Sequence, residues 1–148
     1  MLTITPDEFV KRLKGQSAAI NKAIEELPRI IGVEAVNHFK DNFQKEGFDV
    51  PKSWQEVKRR TWGRGADASR KILTGRTGDL GRSIQKRVEQ TRAIIFSDLI
   101  YAPVHNYGLR AGRGKGFLMP KRQFIGDSKI LEDKLMKIIK KRIDSILK

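Results

Sequence analysis

His38 and His105 are the only histidines of the chain, and it has no cysteine. Metal binding needs several converging ligands, and acid–base chemistry needs a base with an orienting partner. Neither histidine has a pair of close ligands in the sequence. His38 lies beside Phe39 in an amphipathic stretch, where a surface or boundary position is the default. His105, within Tyr101-Ala102-Pro103-Val104-His105-Asn106-Tyr107-Gly108, reads as a hydrogen-bonded turn histidine rather than a base. Two glycine clusters invite a test as phosphate cradles: Gly75-Arg76-Thr77-Gly78 and Gly112-Arg113-Gly114-Lys115-Gly116. Neither places Gly-Lys before Ser or Thr at the P-loop spacing, and neither gives a dinucleotide fingerprint, so both read as turns. Metal-independent RNA cleavage by Arg, Lys, His and Tyr is the best enzymatic alternative, yet nothing in the sequence gathers these types into one pocket. No catalytic residue, cofactor site or metal site is assigned.

Charge is the strongest compositional signal. The formal charge is +14, which draws nucleic acid, anionic lipid or an acidic protein surface. Residues 1–60 are nearly balanced, and the excess lies in residues 59–92, in residues 110–122 and at the C-terminal end. The sequence shows no helix-turn-helix, zinc-finger or RNA-recognition signature. Basic residues interleaved with aromatic ones therefore read first as an interaction surface: Trp54, Lys58, Arg59, Arg60, Trp62 and Arg64 in one segment, Arg110, Arg113 and Lys115 in another. Each tryptophan has two readings, as core or as a packing residue of a multimer, because aromatic side chains dominate interface energetics.

The elements that position these residues follow from hydrophobic spacing. A length of 148 residues suits one domain, and 39% hydrophobic residues suffice for a core. Thr5, Pro6 and Glu8 form a helix-start signature, a capping box with proline in the first turn. Phe9, Leu13, Ile20, Ile24 and Leu27, then Ile31, Ala35, Phe39 and Phe43, recur at helical spacing until Gly47. Two helices, or one kinked at Pro28, are expected over residues 6–46. Residues 47–76 lack periodicity and read as a long, mobile basic loop with a short helix near residues 54–61. Ser83–Glu89 and Ala93–Ser97 read as a hairpin, and Phe117–Phe124 as a further strand that Pro120 confines to an edge. Asp127 or Ser128 caps a last helix whose Leu131, Leu135, Ile138, Ile139, Ile143 and Ile146 share a face. The expected fold is α+β: long N-terminal helices, a small antiparallel sheet with a long basic loop, and a C-terminal helix packed on the sheet. The N-terminus shows no signal peptide, and no apolar run is long enough to span a membrane.

An ordered series of motifs from Asn42 to Gly126 resembles the phage virion-morphogenesis family, which includes tail-completion proteins of contractile-tailed phages. The series begins with Asn42-Phe43 and Glu46-Gly47 ahead of Trp54, Val57 and Thr61. It continues through residues 70–84, Arg70-Lys71-Ile72-Leu73-Thr74-Gly75-Arg76-Thr77-Gly78-Asp79-Leu80-Gly81-Arg82-Ser83-Ile84. Tyr101-Ala102, His105 to Gly108 and Met119-Pro120-Lys121-Arg122-Gln123-Phe124-Ile125-Gly126 complete it. The motifs suit a scaffold: Thr77 as the cap of a turn in which Leu80 and Ile84 face inward, Gly108 at a corner, Phe124 as a core anchor. Family members commonly have Pro-x-Arg-Pro-Phe where this chain has Gln123 before Phe124.

The resemblance implies a structural, non-enzymatic protein of tail completion or head–tail joining. It would act as a homo-oligomeric ring with other tail or connector proteins, with non-specific DNA contact open to its basic loops. It would work first in the host cytoplasm and then in the virion. The alternative is a basic, non-specific nucleic-acid-binding protein.

Overall fold

The computed structural model describes residues 6–148, the Phe9 side chain excepted. The Thr5 cap expected from sequence, and the packing of Phe9, lie outside the described residues. One helix, α1 (Pro6–Lys45), runs through both apolar stripes. Pro28 does not end it, although a proline leaves the carbonyl four residues back without its helical donor. Pro28, Ala23 and Ala35 are buried, so the flanking turns are held by packing.

The last helix, α6 (Lys129–Leu147), lies antiparallel along α1. Lys134 pairs with Glu34 at 2.7 Å, and further along Arg142 pairs with Glu26. These pairs fix direction more than stability, because exposed ion pairs contribute only about 0–1 kcal/mol. Ser128 caps α6 as expected, its Oγ accepting the Leu131 amide at 3.0 Å. The main neighbour of α6 is thus α1, and α1 also carries the sheet.

Strands β1 (Ile84–Val88) and β2 (Ala93–Ser97) form the expected antiparallel hairpin, with Ile84 opposite Ser97 and Val88 opposite Ala93. The hairpin reaches α1 at Gly32, where an added Cβ would stand 2.8 Å from the Lys86 side chain and 3.3 Å from Ala93. A larger residue there would have to displace the flexible Lys86 stem and press on Ala93.

Between α1 and the hairpin the chain makes three single-turn helices: α2 (Arg59–Trp62), α3 (Ala66–Ser69) and α4 (Asp79–Arg82). The N-cap of α4 is Gly78, in left-handed conformation, and not Thr77. The Thr77 hydroxyl bonds the Asp79 carboxylate instead. Leu80 and Ile84 are buried as expected. Tyr101–Gly108 is a helix rather than a bare corner: α5 (Ala102–Tyr107) ends at Gly108, whose φ of 71° suits glycine.

The strand expected over Phe117–Phe124 shrinks to β4 (Phe117–Leu118), paired with β3 (Arg110–Ala111) around the glycine-rich turn. Pro120 cannot donate to a ladder, and side chains satisfy the backbone beyond it. Asn106 accepts the amides of Phe124 and Ile125 at 2.8 and 3.0 Å and donates to the Ile125 carbonyl at 3.1 Å. Asn42 donates to the Phe124 carbonyl at 3.2 Å. Phe124, 1% exposed, is thereby held at the centre of the core with Phe39, Phe43, Trp54, Ile72 and Leu80. Its ring centroid lies 5.2 Å from that of Phe43.

Candidate interface

The segment that follows α1 is tied down through Glu46, a non-glycine residue at φ 56°. Its Oε1 accepts the Ile72 amide at 2.7 Å and also takes the Arg60 guanidinium, while its carbonyl accepts the Trp54 amide at 3.1 Å. Burial alone would raise the Glu46 pKa. The Ile72 amide, Arg60 and Lys71 outweigh it and hold the carboxyl below its usual 4.5. A carboxylate depressed in the folded state contributes stability above its unfolded pKa and loses it as pH falls through the folded value. Glu46→Gln is therefore expected to lower stability by about 2 kcal/mol at neutral pH, the range for a hydrogen-bonded charge. It should also flatten the dependence of Tm on pH below about 4.5. An unchanged acid limb in a thermal melt series would refute this.

That geometry divides the nine residues chosen from sequence. Trp54 is a core residue: it packs edge-on to Phe43 at 5.6 Å and its Nε1 donates to the Gln123 carbonyl at 2.7 Å. Arg60 belongs to Glu46 and Glu56. Arg59 donates to the carbonyls of Asp67, Arg70 and Lys71 at 2.8–3.1 Å, closing the segment on itself. Arg110 donates to the Lys115 carbonyl within its own hairpin. The outward set is smaller. Trp62 is 79% exposed with the Lys58 ammonium 5.8 Å from its ring. Arg64, Arg113 and Lys115 are exposed, and their side chains have no partner among the described residues. The last two sit at the tip of the β3–β4 hairpin, an element separate from α2.

Further apolar side chains lie at the surface without having been singled out from sequence. Ile100, Tyr107, Phe117 and Leu118 are all more than half exposed. On α1, Val10, Leu13 and Ile24 stand on one side of the helix at helical spacing, and all three are exposed. Since Arg142 stands opposite Glu26, α6 ends about level with Ile20, and the α1 turns before it form an arm of roughly 20 Å at 1.5 Å per residue.

His38 is the residue that sequence reasoning placed worst. It is 8% exposed, and its Nε2 lies 2.8 Å from Asp49 Oδ1 and 3.1 Å from Ser128 Oγ. Ser128 also donates to Asp49 at 2.8 Å. Histidine, serine and aspartate together suggest a nucleophile triad, but that mechanism needs the acid on one ring nitrogen and the serine on the other. Here both share Nε2, and Ser128 is occupied as a helix cap. The cluster joins α1, the following loop and the start of α6.

A cavity of about 270 Å³ opens where Arg59, Arg122, His105 and Tyr101 meet, walled by Val57, Leu73 and Leu80. Burial, then Arg122, lowers the His105 pKa below its ordinary value, and burial, then Arg59, lowers that of Arg122. Among the described residues no group of His, Asp or Glu could hold a metal ion, and no helix is long and apolar enough to cross a membrane.

No curated protein and no solved structure matches the chain. The model of the phage virion morphogenesis family matches residues 7–144, which takes in the Glu46 hub, the Phe124 core and both long helices. The chain belongs to the phage virion morphogenesis family and has a structural role in phage assembly.

Proposed function

We propose that the protein is a non-enzymatic subunit of tail completion or head–tail joining, and that it works as a homo-oligomeric ring seated on other tail or connector proteins. The observation that carries this reading is the α1 arm. Val10 and Leu13 are 47% and 48% exposed on turns that α6 does not reach, so these apolar side chains have no covering element among the described residues. Burial of apolar area contributes roughly 25 cal/mol per Å², which favours packing of the arm on a neighbouring copy. Repeated by rotation, a head-to-tail contact of this kind closes a ring. Trp62 and the exposed Ile100, Tyr107, Phe117 and Leu118 supply further apolar contact. Arg64, Arg113 and Lys115 present charge to an acidic protein face or to passing DNA.

The test is the mass of the purified protein across concentration, at moderate and high salt, with nucleic acid removed. A discrete oligomer, or one that forms as concentration rises, is expected. Leu13→Glu should shift it towards monomer by at least about tenfold in concentration, the factor for 1.4 kcal/mol, with Tm nearly unchanged. The net charge of +14 favours a second reading, non-specific nucleic-acid binding. A strict monomer that forms complexes only with DNA or RNA, with affinity falling steeply in salt, would establish that reading instead.

A further inference from the structure

We propose that the cavity between α2 and α5 is a socket for one carboxylate side chain, an aspartate or glutamate, of a protein that this chain meets in the particle. The socket rests on the reading of the chain as an assembly subunit. Arg122 is only 6% exposed, yet its Nε bonds only the Gln55 carbonyl, at 3.0 Å, and its terminal nitrogens have no partner among the described residues. Buried guanidinium groups are ordinarily paired with an acid. Arg59, which lines the same cavity, is bonded only to backbone carbonyls. His105 lines it too, and its Nδ1 is buried with no hydrogen-bond partner. The nearby acids are already engaged, Glu56 by Arg60 and Asp79 by Arg82 and Thr77.

Two guanidinium groups share the cavity with one carboxylate, Asp79, that Arg82 and Thr77 already engage, so the site keeps an excess of positive charge. An arginine fork matches a carboxylate in bidentate fashion. The apolar walls, Val57, Leu73 and Leu80, suit the methylene stem of an acidic side chain. Those walls favour an acidic protein side chain, which brings methylene groups with its carboxylate, over a bare phosphodiester as the occupant. Leu73 stands at φ 61°, a conformation that leucine rarely adopts. Such strain clusters at ligand sites.

The test uses the full chain and small probes, so it does not depend on assembly. Glutarate, inorganic phosphate and chloride are titrated at matched ionic strength while the His105 ring and Arg122 Nε resonances are followed. Glutarate is expected to give saturable shifts with a dissociation constant on the order of millimolar, at least about tenfold tighter than chloride. Arg122→Gln should weaken it at least about tenfold. If that variant does not fold, Val57→Glu places a carboxylate of the chain's own in the cavity and should abolish glutarate binding. Equal, non-saturating shifts with glutarate and chloride would overturn the socket, as would glutarate binding that survives in Val57→Glu. Phosphate or a short DNA strand binding about tenfold tighter than glutarate would overturn the assignment to a protein carboxylate. A chain that binds glutarate but never self-associates would keep the socket and remove the ring. A ring without glutarate binding would do the reverse.

Discussion

Trp54→Ala is expected to cost about 3–5 kcal/mol of folding stability, the range for removing a buried aromatic side chain, whereas Trp62→Ala should leave the melting temperature almost unmoved. The two tryptophans lie in one segment and look alike in sequence, but they have opposite environments. Trp54 is 7% exposed and Trp62 is 79% exposed. Trp54 loses a ring contact with Phe43 and leaves the Gln123 carbonyl without its indole donor. At a chain length near 150 residues, 1 kcal/mol shifts Tm by about 2–4 °C, so the Trp54 variant should melt roughly 10 °C lower. The Trp62 ring carries the Lys58 ammonium and is otherwise largely open to solvent, and its removal should instead weaken association by about tenfold or more, as loss of an aromatic anchor does. Calorimetry and solution mass on the same pair of variants check both halves. A large fall in Tm with Trp62→Ala, or none with Trp54→Ala, would reverse the assignment.

Asn106→Ala should be as damaging as a core truncation although it removes no apolar surface. The side chain serves three backbone groups, the amides of Phe124 and Ile125 and the carbonyl of Ile125. Each buried group left unsatisfied costs about 1–3 kcal/mol, so a loss of about 3 kcal/mol or more is expected. Asn106→Asp is the informative companion. It keeps the acceptor for both amides but gives up the donor to Ile125 and buries a charge. Chemical denaturation should place it between the wild type and Asn106→Ala at neutral pH. Equal stability of Asn106→Ala and wild type would show that water takes over these bonds.

The long-range order of the fold was legible because it rests on periodicity. The Ile31, Ala35, Phe39 and Phe43 stripe, the hairpin of residues 84–97 and the Ser128 cap each follow from a local rule. What could not be read was where polar side chains spend their bonds. Nothing near His38 in the sequence indicates Asp49 and Ser128 as its partners, since Ser128 lies on another element. Nor do the residues around Arg59 and Arg60 reveal that both turn inward, to backbone carbonyls and to Glu46. Charge patterning makes the basic cluster read as a surface because it reports composition, whereas satisfaction depends on geometry. Trp62 and Arg64 do point outward, as that reading expects. Arg122 was visible only as a motif position, and the lack of a hydrogen-bonded carboxylate on its guanidinium required coordinates.

The uncovered part of α1 has a kinetic consequence. A partner-binding segment that folds only on contact must be ordered during the encounter, and that slows productive collision. Here the contacting turns are continuous with a helix anchored by Ala35, Phe39 and Phe43, and α6 splints the rod where Pro28 interrupts its bonding. In the proposed ring the arm would therefore meet a neighbour already shaped. Association there would be limited by orientation rather than by ordering, and the lifetime of each contact would be set by how well the exposed stripe packs.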